Sequence, residues 1–107
     1  FFFQNMSWER FKAIEGTETV VIAGEVFKLR KSLKAKEVRE VIAKYGNNAE
    51  AIQMELIRKV VIEPKPPEND EEFKQIWNEM DASIQAELIA KVMEISGLNK
   101  LFRLAMG

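Results

Sequence analysis

The feature that most constrains the fold is a change of hydrophobic period just after residue 30. From Thr17 to Ile22 the chain is rich in β-branched residues, and from Glu25 to Arg30 it alternates Val26 and Lys28 with Phe27 and Leu29. Ala23 and Gly24 stand between the two runs, where a tight turn joins two strands. From Ala35 onward the apolar spacing becomes three and four residues: Ala35, Val38, Val41, Ile42 and Tyr45, then Ile52, Leu56, Ile57, Val60 and Val61. Phe73, Ile76, Trp77 and Met80 continue it, as do Ile84, Leu88, Ile89, Val92, Met93 and Ile95. A period of two suits a strand and one of 3.6 a helix, so one element type cannot serve both halves. The expected fold class is mainly α: a small helical domain of about four to five helices with a short N-terminal β-hairpin. A hairpin alone is marginal in water, so one of its faces must lie on the helices.

Local punctuation marks the element ends. Ser7 suits a cap for a short segment with Trp8, Phe11 and Ile14, closed by Gly16. Ser32 is the expected start of the next helix and Gly46 its stop; Asn47 with Glu50, and Asn69 with Glu72, read as capping boxes. Asp81 or Ser83 opens the last long helix, which stops at Gly97, and Leu98, Leu101, Phe102 and Leu104 follow as an apolar amphipathic turn or two. Pro64, Pro66 and Pro67 deny the chain both helix and strand ladders, so Glu63 to Glu68 is expected to be a stiff connector. Phe1 to Asn5 precede Met6 and read as a cloning or processing remnant, leaving 6–107 as a single domain. For a chain of 107 residues, folding buries roughly 65% of the extended surface, enough for one core.

Composition removes most reactive chemistry. With no Cys and no His, the chain has no thiol nucleophile, no thiolate zinc site and no ordinary near-neutral base. Ser7, Ser32, Ser83 and Ser96 therefore have no His to activate them, and no Gly-rich phosphate loop or spaced calcium loop is present. Asp70, Glu71 and Glu72 sit where acids ordinarily favour a helix N-terminus. No catalytic, cofactor-binding or metal-binding residue is expected, and no enzymatic activity. No stretch reaches the roughly 18 apolar residues of a membrane span, and no signal peptide is evident, so no membrane partner is expected.

The formal net charge is −1, which gives no support to nonspecific nucleic-acid binding. That value hides two opposite blocks. Lys28, Arg30, Lys31, Lys34, Lys36, Arg39 and Lys44 face only Glu37 and Glu40 in their segment, a local charge of +5. Glu63, Glu68, Asp70, Glu71, Glu72, Glu79 and Asp81 face only Lys65 and Lys74, a local charge of −5. Each block is either a solvated face or one half of a contact between copies.

Val38 to Val61 has a helix–turn–helix outline, with Gln53, Arg58 and Lys59 as outward polar groups of its second helix. A plain αα-hairpin is the competing reading, and the acid at Glu50 in the base-reading half favours it. The aromatic residues Trp8, Phe11, Phe27, Phe73, Trp77 and Phe102 are expected mainly in the core. The run Leu98 to Met106 either folds back on that core or docks in a partner's groove.

The stretch Val60-Val61-Ile62-Glu63-Pro64, the acidic Pro-rich connector, the Trp-bearing helix from Asp70 to Met80, Ile84-Gln85-Ala86-Glu87-Leu88 and Ile95-Ser96-Gly97-Leu98 together resemble the tail assembly chaperones of long-tailed bacteriophages. The resemblance covers about residues 56 to 102. It implies a non-enzymatic protein of virion morphogenesis in the host bacterial cytoplasm, absent from the mature particle. Its implied partners are the tape-measure protein and tail-tube subunits, with self-association. Trp77, Met80, Leu98, Leu101, Phe102 and Leu104 are the expected partner-binding residues. The alternatives are a small helix-turn-helix DNA-binding regulator or another small phage structural or connector protein.

Overall fold

The computed structural model describes residues 8–100. Strands β1 (Thr17–Ile22) and β2 (Glu25–Arg30) form the expected hairpin. Its turn places Ala23 at φ 54° and Gly24 at φ 80°, so both central residues take the left-handed region that a two-residue hairpin turn demands. Helices α1 (Ala35–Tyr45) and α2 (Ala49–Val60) follow, then a third strand, β3 (Val61–Glu63), and helices α3 (Asp70–Glu79) and α4 (Ala82–Ser96).

The third strand overturns the expectation of a mainly α fold with only a hairpin. Strands β1, β2 and β3 form one antiparallel sheet in that order, and the architecture is mixed α and β. Leu29 pairs with Val61 and Lys28 with Glu63, with a bulge between the two registers. The reason lies in Val60-Val61-Ile62. Helical spacing assigns Val61 to the preceding stripe, but β-branched residues are stiff at χ1 and favour extended backbone once a partner strand is near. Val61 has φ −78° and ψ 118°, and its N–H still closes the last turn of α2 on the Ile57 carbonyl. The connector, expected from Glu63, thus starts one residue later, because Glu63 closes β3.

Caps explain the remaining boundaries. Helix α1 begins after Lys34, not at Ser32: the Lys34 N–H donates to Glu37 Oε1 at 3.0 Å, so the acid satisfies the cap from inside the helix. Asn48, one residue beyond Asn47, accepts from the Ala51 N–H at 3.1 Å. Asn69 accepts from the Glu72 N–H at 2.9 Å, and Asp81 from the N–H groups of Ser83 and Ile84. Gly97 closes α4 in the left-handed conformation that a side chain would strain.

Helix α2 is the central element, packed on α1, α4 and β3, while α4 also touches β1. Leu56 and Val60 of α2 are fully buried with Leu29 of β2, Trp77 of α3, Val92 of α4 and Leu98. The sheet covers this core with Leu29 and Ile22 and leaves the cross-strand pair Val21 and Val26 on its outer, exposed face. Glu18, on the inner side of β1, is held by Lys91 of α4 at 3.5 Å.

Candidate functional site

The site residues expected from sequence divide into three groups. Trp77 is 2% exposed and Leu98 1% exposed, and both belong to the core. Trp77 stacks near Phe73 with ring centroids 6.2 Å apart, and its carbonyl accepts from Gln85 Nε2 at 2.7 Å. Met80, at the end of α3, is half-buried against the core. Leu101, Phe102 and Leu104 lie outside the described residues.

Among the concave surfaces of the described residues, two stand out, and of the expected partner-binding residues only Leu98 lines either of them. The first is an apolar groove of about 300 Å³ where the end of α1, the start of α2 and the last turns of α4 converge. Ile42, Ile52, Met93 and Leu98 supply its apolar walls, and Gly46, Asn47, Ala49 and Gln53 its rim. At Gly46 the chain turns from α1 into α2 with φ 59°, a backbone conformation that favours glycine. Helical periodicity marks Ile42 and Ile52 as core-facing, but it cannot show that two helix ends leave a gap between them.

The second is a wider groove of about 1270 Å³ between residues 10–17 and the start of α1. Phe11, Ile14 and Leu33 line it together with Arg10, Lys12, Arg30, Lys34 and Lys36. Here the sequence expectation for the aromatics fails, because Trp8, Phe11 and Ile14 are 74%, 66% and 65% exposed. Trp8 and Phe11 meet edge to face at 5.5 Å and pack on each other, not on the core. Their spacing is helical, yet among the described residues no other element packs over this segment to bury it.

One ion pair fixes the wall of this second groove. Arg30 at the end of β2 donates to both Glu37 oxygens, each at 3.0 Å, tying the sheet to the first turn of α1. The Arg30 guanidinium, together with the Lys34 N–H, lowers the Glu37 carboxyl to about 2, and the same pair raises Arg30.

The helix–turn–helix outline from Val38 to Val61 is two helices joined by a short turn, and of its outward polar groups Arg58 is engaged within the chain. The Arg58 guanidinium bonds Asp70 and the carbonyls of Pro67 and Glu68, and it stands 5.3 Å over the Phe73 ring. It holds Asp70 below the usual carboxylate range, and Gln53 forms part of the apolar groove. Among the described residues, no group of three or more acids is placed to hold a metal ion, and no helix is long and apolar enough to cross a membrane. Comparison with known proteins finds no matching family model, no matching curated protein and no matching solved structure.

Proposed function

We propose that this protein is a non-enzymatic assembly chaperone that holds an apolar helical segment of a larger client. The client proposed is the tape-measure protein of a long-tailed phage, kept soluble in the host cytoplasm while tail-tube subunits are recruited, with the chaperone leaving before the particle is complete. The motif resemblance over residues 56 to 102 supports this reading, and the observation that carries it is the apolar groove. A volume of about 300 Å³ is at the small end of ligand cavities and suits one or two anchoring side chains of an amphipathic helix. Met93 in its wall is unbranched and adapts to differing side chains, as a protein gripping successive segments of a long client requires. The engagement of Arg58 with Asp70 and the connector occupies one of the two cations, Arg58 and Lys59, that the DNA-regulator alternative would use.

Co-expression with a tape-measure fragment tests the reading. The fragment is expected to become soluble and to co-purify with the chain. Ala49→Trp fills the rim of the groove from an exposed position, so it is expected to abolish this effect while leaving helix content unchanged. A client equally insoluble with and without the chain overturns the proposal, and full rescue by Ala49→Trp overturns the groove as its seat.

A further inference from the structure

We infer that the basic groove between residues 10–17 and α1 is a self-association surface, and that its occupant is the acidic outer face of α3 in a second copy. The contact stands on charge, shape and exposure, so it holds or fails independently of the tape-measure reading.

Among the charges that make no ion pair within the described residues are two groups of opposite sign. Lys12 is paired with Glu9 at 2.8 Å and Arg30 with Glu37. Lys31, Lys34, Lys36 and Arg39 are exposed and make no ion pair among the described residues. Lys34 and Lys36 line the groove with Arg10, beside exposed Phe11 and Ile14, against one unpaired acid in the lining, Glu15, so the groove is net basic among the described residues. On α3, Phe73 and Trp77 turn inward, and helical geometry places Glu71, Glu72 and Glu79 on the opposite half. These acids are exposed and likewise make no ion pair among the described residues. Ile76, 45% exposed on the flank of α3, offers an apolar contact for Phe11 and Ile14.

Shape and charge select this occupant. A concavity of about 1270 Å³ admits a convex helix, whereas a bilayer is flat, and the complementary acids are present on every copy at the same concentration. Because the donor face and the receiving face differ, each copy in a contact retains one of each. The association is head-to-tail and grows an open chain unless its rotation closes a ring.

Sedimentation velocity across salt concentrations is the first test. At about 0.01 M salt, where screening extends roughly 30 Å, the average mass is expected to exceed the 12.3 kDa of one chain and to rise with concentration. At about 1 M salt it is expected to fall toward that value. K34E/K36E reverses the groove and E72K/E79K reverses the helix; each alone is expected to weaken association on the order of tenfold. Mixing the two restores both complementary contacts, so the mixture is expected to associate again. Circular dichroism of each variant at wild-type helix content shows that loss of association is not loss of fold. A mass of one chain throughout, association indifferent to either reversal, or a mixture that stays monomeric overturns the inference. So does binding of the monomeric wild type to anionic phospholipid vesicles with no self-association.

Discussion

Replacing Glu37 by Gln tests the joint that holds the sheet to α1. The substitution keeps the side-chain volume and an oxygen for the Lys34 N–H, but it removes the charge that Arg30 grips through two bonds of 3.0 Å. Depression of a carboxylate from 4.5 to about 2 corresponds to roughly 3 kcal/mol if the pair is fully shielded. Side-chain exposures of 31% for Arg30 and 20% for Glu37 admit solvent screening, which brings the expected loss to about 1–2 kcal/mol. In a domain of this size that is a fall in Tm of about 5–12 °C at neutral pH. Because the folded carboxyl titrates below its unfolded value, its contribution is complete above 4.5 and is lost as pH falls from there toward 2. Urea unfolding of both proteins should therefore show a gap that is constant near neutrality and less than half as large by about pH 3. Equal stabilities at neutral pH, or a gap that does not narrow in acid, would refute the assignment of this pair as the joint.

Trp77→Ala should cost about 3–5 kcal/mol, a large share of the stability of a small domain, and should abolish the near-ultraviolet dichroism of a fixed aromatic; a loss below about 1 kcal/mol would place Trp77 outside the core. Asn48→Ala should cost about 1 kcal/mol in thermal melts because the Ala51 N–H loses its acceptor, while Asn47→Ala should cost only a few tenths; the reverse order would return the cap to Asn47.

Elements whose signals are local were legible. The Ala23-Gly24 turn, the stop at Gly46, and the caps at Asn69 and Asp81 each depend on residues within a few positions of one another. Strand β3 was not, because three residues cannot display a period and their partner is Leu29, far upstream. The cap of α1 moved from Ser32 to Lys34 because Glu37, two residues into the helix after Ala35, is recruited by Arg30 from another element. The exposure of Trp8 and Phe11 was hidden for the same reason: amphipathic spacing shows that a face can be buried, and only tertiary structure supplies what buries it. Both grooves belong to this class, since each is bounded by segments distant in sequence.

The charge blocks show what such folding does to a count made along the chain. At the seams the two blocks neutralise each other or their neighbours: Lys28 meets Glu63 at 3.7 Å across the sheet, Asp70 is taken by Arg58, and Glu68 by Lys65 at 3.0 Å. Exposed pairs of this kind contribute at most about 1 kcal/mol each, so they do not explain why the charge is segregated. Their effect is to narrow it. What is left after the seams close is a net basic set, Lys31, Lys34, Lys36, Arg39 and Lys44 with the single acid Glu40, and a net acidic set, Glu71, Glu72, Glu79 and Asp81 with the single base Lys74, each exposed. Like charges clustered on one surface repel and cost the folded state a little stability, a cost that alternation along the chain would have avoided. A contact between copies offsets that repulsion, and it does so most where salt is low and the two faces are brought together.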